Sequence, residues 1–252
     1  MIELKEIVRY LDAELRIADV PDYPGALNGL QLENNGGVTK VAAAVDASLP
    51  VFEKAIAAGA DLLIVHHGMF WRGAQRVVDS QYEKLKLAMD ANMAVYSAHI
   101  PLDVHHDWGN NVLLCEKLGM QDAEKFHPWK GELLGLREEM DLSLDELVKR
   151  VRVAVGGGVN FCHGKKSKNV GVVGVITGGA GSEVQAMADS GINTFITGEG
   201  PHWSYPLAEE LGVNVIYGGH YATETFGVLK LIEVLKTKYL LCNCFVDHPS
   251  GL

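Results

Sequence analysis

The chain of 252 residues is poor in cysteine and in positive charge. Its four cysteines, Cys115, Cys162, Cys242 and Cys244, are too few and too scattered for the disulfide framework of a small secreted domain. Lys and Arg number 22 against 32 Asp and Glu, a formal charge of −10. That balance disfavours a non-specific binder of nucleic acid or of an anionic membrane surface. No apolar run reaches the roughly 18–20 residues that a bilayer-spanning helix needs. The opening MIELKEIVRYLDAELRI carries acidic residues inside an amphipathic pattern, so it is not read as a signal peptide. What remains is a chain expected to be soluble and cytoplasmic. Its 48% hydrophobic content is that of a globular protein, and its length asks for one large or two modest domains. Its 28 glycines point to many tight strand-to-helix turns.

Residues 2–17 have helical periodicity, with Ile2, Ile7, Val8, Leu11 and Leu15 on one side. Strands are then expected at 41–45, 62–65 and 94–98, alternating with helices at 49–58, 81–92 and 111–118. After a connecting stretch, Ser143-Leu-Asp-Glu146 is a capping-box signature that opens a helix to about Val153. Strands at 170–176, 194–197 and 214–217 follow, separated by helices at 183–188 and 206–211, and the chain closes with a helix at 222–235 and a strand at 239–246. Such alternation predicts an α/β fold with mostly parallel sheets. Two lobes are expected, 1–125 and 126–252, with the final helix and strand free to pack on the first.

The two series resemble each other. AIAAGADLLIVHHGMFW (55–71) aligns with MADSGINTFITGEGPHW (187–203) at an offset of 132, matching Gly59 with Gly191, Gly68 with Gly200 and Trp71 with Trp203. VYSAHIPLD (95–103) aligns with VIYGGHYATE (215–224) at an offset near 121, placing His99 over His220 and Asp103 over Glu224. Two matches in the same order predict an internal duplication, and with it a metal site in a cleft between pseudo-symmetric lobes.

Chemistry-bearing residues gather after the expected strands. His66 and His67 follow LLIV, His99 and Asp103 form H-x-x-x-D, and His220 and Glu224 form H-x-x-x-E. A lone HH pair reads as one packed and one solvated ring. Four histidines and two carboxylates at strand ends read instead as ligands of a borderline divalent ion such as Zn, Fe, Mn, Co or Ni. Six donors exceed the need of one tetrahedral ion and suit two ions, which together activate water and clamp the attacking and leaving oxygens.

The blocks IVHHGMFW, SAHIPLD, ITGEGPHW and GHYATE resemble those of the Nif-three-like family of dinuclear-metal-centre proteins, whose members are often labelled homologues of GTP cyclohydrolase I type 2. The resemblance runs from the N-terminal helix through ALNGLQLE (26–33) to CFVDHP (244–249), at the length of the family's short form without an inserted domain. It implies His66, His67, Asp103, His220 and Glu224 as metal ligands. It leaves His99 either as a further ligand or as an acid–base group beside the metals. Glu199 and His202 of TGEGPHW match positions close to the site and are candidate proton carriers, against a bland reading as a helix-N-terminal acid and a surface ring. The resemblance also implies a toroidal homohexamer. Two departures stand out: Ala26-Leu27-Asn28-Gly29-Leu30 replaces the family's usual aspartate-asparagine-valine-glycine-leucine, and VDHPSGL differs from the usual closing segment, so nothing is inferred from His248.

Other features read structurally. Gly178-Gly179-Ala180-Gly181-Ser182 lacks the Lys of a phosphate-binding loop and is read as a tight turn packing a helix on the sheet. Cys242 and Cys244 are expected to be packed thiols on one strand face, Trp71 and Trp203 core or cleft walls, and Gly156-Gly157-Gly158 a flexible connection. His105, His106 and His127 are assigned no role. The expected function is dinuclear metal-dependent hydrolysis of a small molecule, with a nucleotide or purine ring as the candidate substrate and His99, Glu199 or His202 moving the proton. An enzyme of this kind predicts an exchangeable water and a cavity lined by Asn28, Glu199 and His202. The competing expectation is a metal-binding scaffold or metallochaperone that recruits a protein partner.

Overall fold

The computed structural model describes residues 1–73, 75–164 and 169–251. The chain forms two compact units, one of residues 1–105 and 227–248, the other of 106–226 and 249–252. The α/β class and the alternating order of elements are as expected. The division falls earlier than the expected boundary at 125, because helix Asn110–Leu118 belongs with the second unit. Its Leu114, Cys115 and Leu118 share one buried cluster with Leu144, Leu147, Val148 and Val151 of helix Leu144–Val155. The closing helix, from Gly227 on, and the last strand belong to the first unit.

In the first unit five strands lie in the order Cys242–Phe245, Lys40–Asp46, Leu62–His67, Ala94–Ser97, Gly29–Leu32. The first four are parallel, and Gly29–Leu32, which the sequence did not announce, adds antiparallel at the edge. Residues 41–45 and 62–66 are continuously buried, as a parallel strand covered on both faces requires. On one face Ala42, Ala44, Leu63, Val65 and Val95 pack with Val51, Phe52 and Ala55 of helix Leu49–Ala57 and Ala88 of helix Asp79–Asp90. Helix Leu4–Glu14 buries Leu4, Ile7 and Leu11, and is tied to the sheet where the Tyr96 hydroxyl donates to Asp12 at 2.8 Å. That helix starts later than expected because Ile2 and Glu3 pair with Val38 and Gly37 as a short antiparallel ribbon. The last strand is also shorter than expected. Helix Thr225–Tyr239 runs on to Tyr239, and Cys242 is exposed rather than packed.

In the second unit six strands lie in the order Glu124–Trp129, Glu132–Ser143, Asn169–Val175, Thr194–Thr197, Asn214–Tyr217, Asn160–Cys162. The three central strands are parallel to one another, while the hairpin 124–143 and the strand Asn160–Cys162 pair antiparallel, so this sheet is mixed. The stretch expected as a connection is therefore a long hairpin. Its two-residue turn, Lys130-Gly131, has positive φ at both residues (48° and 95°), the geometry that matches strand twist. One face carries helices Asn110–Leu118 and Leu144–Val155, and the other carries Val184 and Met187 of helix Val184–Asp189 with Ala208 of helix Ser204–Leu211. The capping signature is realised: Glu146 N–H donates to Ser143 Oγ at 3.2 Å. Among the described residues, no helix is long and apolar enough to cross a membrane.

Asp61, at the start of strand Leu62–His67, joins that strand to its neighbour. Its Oδ2 accepts from Thr39 N–H (2.7 Å), Thr39 Oγ1 (2.5 Å) and Lys40 N–H (3.0 Å). Burial pushes the Asp61 carboxyl up, but the three hydrogen bonds and the N-terminal charge outweigh it and hold the carboxyl below its ordinary value. A depressed folded-state pKa adds stability above the unfolded value of about 3.8, and that stability is lost as pH falls through the folded value. Replacing Asp61 by Ala is expected to cost about 1 kcal/mol at neutral pH after solvent screening. Chemical denaturation of both proteins across pH should show the difference shrinking below about pH 4.

Candidate metal centre

The first donor set lies at the carboxyl ends of two adjacent parallel strands, where loops and helix starts converge. His66 and His67 close strand Leu62–His67. His99 follows strand Ala94–Ser97 and caps the one-turn helix Ile100–Asp103, which carries Asp103 at its end. The ring centroids of His66 and His67 are 4.8 Å apart, those of His66 and His99 5.0 Å, and those of His67 and His99 5.6 Å. Each of the three can offer a ring nitrogen within 4.8 Å of the other two. His66 Nε2 is 3.5 Å from Asp103 Oδ2.

Each ring is held by its other nitrogen. The Nδ1 of His66, which is buried, meets the Ala98 carbonyl at 2.8 Å; the carbonyl can only accept, so the proton sits on Nδ1. His67 Nδ1 meets Asp46 Oδ1 at 2.8 Å. Parallel register supplies that contact, because Asp46 is the cross-strand partner of His67. His99 Nδ1 meets Asp22 Oδ1 at 2.9 Å. Asp22 is itself fixed by Asn28 Nδ2 (2.8 Å) and Ile100 N–H (3.0 Å) on its other oxygen, and Asn28 Oδ1 accepts His99 N–H at 2.8 Å. Burial pushes the Asp22 carboxyl up, yet the hydrogen bond and charge of His99, with Asn28 and the Tyr23 N–H, hold it below the usual carboxylate range. The carboxylate stays ionised and favours a proton on the facing Nδ1.

The second donor set has the same construction. His220 opens the one-turn helix His220–Thr223 after strand Asn214–Tyr217, and Glu224 ends it. His220 Nε2 is 3.1 Å from the buried Glu224 carboxylate, and its Nδ1 is 2.8 Å from Glu199 Oε1. Burial works against a charge on His220, but the hydrogen bonds and charges of Glu224 and Glu199 outweigh it and raise the ring's pKa to about 9. Two carboxylates that hold a proton on an imidazole form a place that favours a cation.

The glycine-rich turn makes this set possible. Gly178 N–H donates to Thr223 Oγ1 (3.1 Å), and the Gly178 carbonyl accepts from Gly198 and Glu199 N–H (2.8 and 2.9 Å). A Cβ on Gly178 would lie 2.1 Å from Glu224 Oε1, at φ +70°. A Cβ on Gly181 would lie 2.4 Å from Gly200 Cα. The turn, read from the sequence as packing a helix on the sheet, makes its close backbone contacts with the loop bearing Glu199.

Of the sequence-derived candidates, the structure brings His66, His67, His99 and Asp103 together in the first unit, and His220, Glu224 and Glu199 together in the second. His202 lies exposed in the turn before helix Ser204–Leu211, and Trp203, expected as core or a cleft wall, is also exposed and so is not core. Asp22 and Asp46 were not singled out from the sequence. Asp46 carried a signal, an acid at the end of a buried strand. Asp22 lies 77 residues from His99 in an irregular segment and carried none.

The model of the Duf34/NIF3 family (NGG1p interacting factor 3) matches residues 2–248, and the chain belongs to that family. Curated relatives include proteins named GTP cyclohydrolase 1 type 2 homolog from Deinococcus radiodurans (36% identical, 98% of this chain and 94% of the relative) and Pyrococcus abyssi (39%, the full length of both). The crystal structure of TTHA1606 from Thermus thermophilus superposes with a TM-score of 0.89 at 38% identity over both whole chains. Reduced HcgD from Methanocaldococcus jannaschii does so at 0.88 and 26%, over 98% of each chain.

Gly178→Ala is expected to lower the melting temperature by about 4 °C or more, since it forces positive φ on a side chain and pushes it into Glu224. Gly59→Ala, also at positive φ but with open space around it, isolates the backbone part. Thermal scans of the two should show the larger loss at Gly178.

Proposed function

We propose that the chain is a metal-dependent hydrolase with two divalent ions, held by His66, His67, His99 and Asp103 in one set and by His220 and Glu224 in the other. The observation that carries this reading is the anchoring of all four imidazoles by Nδ1, through Ala98, Asp46, Asp22 and Glu199. A neutral ring held in this way keeps the lone pair on Nε2 for a metal, His220 gives up its extra proton when a metal takes its place, and carboxylate–histidine pairs are the usual support of metal ligands. Histidine and carboxylate donors suit Zn, Fe, Mn, Co or Ni alike. Bound divalent ions supply Lewis-acid polarisation and make water nucleophilic near neutral pH.

The chain's own residues do the rest. Asp46, Asp22 and Glu199 fix ring orientation. Should the first ion be held by His66, His67 and Asp103 alone, His99, with ionised Asp22 behind its Nδ1, has the form of a base with its orienting carboxylate. Glu199 and the exposed His202 are the groups that carry a proton to the leaving atom. The names of the relatives make a nucleotide or purine ring, opened at a C–N bond, the first substrate to test. We place the protein in the cytoplasm, which suits four free thiols, and read it as a homo-oligomer, a hexamer by resemblance. Tyr82 and Met89, large and exposed on helix Asp79–Asp90, with exposed Val78 just before it, support self-association. The family's description as an interacting factor supports a second reading, a metal-binding scaffold or metallochaperone that recruits a partner.

Elemental analysis of untagged protein purified without chelator decides between metal and no metal. Near two equivalents per chain are expected, falling in His67→Ala and in Glu224→Ala. Asp46→Ala should weaken metal affinity by about 10–100-fold without removing a ligand. Metal content near zero, or indifferent to these substitutions, overturns the hydrolase reading.

A further inference from the structure

We infer that Tyr23 and Trp71, two rings in contact with His99, wall a subsite that takes a planar heteroaromatic ring. As a substrate subsite it rests on the hydrolase reading; as a binding site it stands on its own geometry.

The Trp71 ring stands edge-to-face to His99, with centroids 4.7 Å apart and an interplanar angle of 84°, and lies 5.8 Å from His67 at 76°. Tyr23 lies 6.2 Å from His99 and 6.5 Å from Trp71, tilted by 53° to the indole. With Pro24, Gly25 and Gly73 the two rings line an open recess. Yet Trp71 is 37% and Tyr23 50% exposed. Rings serving only as core would be covered; these are left in water against a cluster of imidazoles.

The recess is built rather than incidental. Gln31 ties the two segments that carry the rings: its Oε1 accepts Met69 N–H (2.8 Å), and its Nε2 donates to the carbonyls of Ala26 and Leu27 (3.0 Å each). The backbone of Trp71 sits so close on Gly25 that a Cβ there would lie 2.6 Å from the Trp71 carbonyl oxygen. Asp22, which orients His99, also accepts Tyr23 N–H at 2.6 Å. Walls fixed in this way lose little freedom when a ligand enters. The side chains that line it are Tyr23, Pro24 and Trp71, so what it offers a ligand is ring faces. Stacking on Trp and Tyr suits any planar heterocycle, and the two rings that would stack on it are themselves in contact with His99.

Equilibrium dialysis with guanosine and adenosine as probes, and ribose as the non-aromatic control, tests the subsite on chelator-treated and on metal-loaded protein. The wild type should hold at least one nucleoside well above ribose. Trp71→Leu, which keeps apolar cover but removes the ring, should weaken it by at least about five-fold. Tyr23→Ser should weaken it too, and Trp71→Phe should recover most of the binding. Metal content should not change in any of the three. Nucleosides held no better than ribose, or equally well by wild type, Trp71→Leu and Tyr23→Ser, overturn the proposal. If Trp71→Leu fails to fold by circular dichroism, the half-exposed Tyr23→Ser decides. Nucleoside binding by a protein that carries no metal keeps the subsite and removes the hydrolase reading; the reverse result removes the subsite alone.

Discussion

Everything in the candidate centre depends on one interaction repeated four times: an oxygen acceptor fixed against the Nδ1 of an imidazole. A histidine ring has two nitrogens and a free torsion, and a ligand set needs both settled. For His66 the acceptor is a backbone carbonyl, so it survives any side-chain replacement nearby. For His67, His99 and His220 it is a carboxylate, which also makes the opposite nitrogen a stronger donor. The fold serves this need by ending buried parallel strands on the donor residues. Strand register then delivers Asp46 to His67, and the Asp22–Asn28 pair clamps the backbone and the ring of His99 together.

Backbone close packing does the same service around His220. Gly178, Gly181, Gly198 and Gly200 leave no room for a Cβ, so the turn after strand Asn169–Val175 and the loop after Thr194–Thr197 meet backbone to backbone. The Gly178 carbonyl ties the start of that loop, and the space where its side chain would be is taken by Glu224. Small residues here set carboxylate positions as firmly as hydrogen bonds set the rings.

Much of this was legible in the sequence. The strand-end blocks gave His66, His67, His99, Asp103, His220 and Glu224, because buried parallel strands read as continuous apolar runs and the polar residues just after them stand out. Glu199 was found by its block, though its contact is with His220 Nδ1. The hairpin 124–143 was not legible: its strands mix charged and apolar residues without clean alternation, and its turn is Lys-Gly where Asn-Gly would have announced it. Nor was the short strand Gly29–Leu32, whose edge position rests on pairing with Ala94–Ser97. Asp22 was the largest omission at the site. Contacts across 77 residues between an irregular segment and a strand end leave no local pattern.

The same omission shows why Tyr23 and Trp71 matter together. The sequence match pairs Trp71 with Trp203 and reads both as core or cleft walls. For Trp71 the structure excludes the core, since the residue is exposed, and sets its ring against His99 and His67, while Asp22 and Gln31 bind the segment that carries Tyr23 to the elements that carry His99 and the tryptophan. Asp22 sits at the joint: one oxygen receives both His99 Nδ1 and Tyr23 N–H, the other receives Asn28 and Ile100. The residue that fixes the ring of His99 thus also fixes the segment that carries one wall of the recess, and one carboxylate serves both.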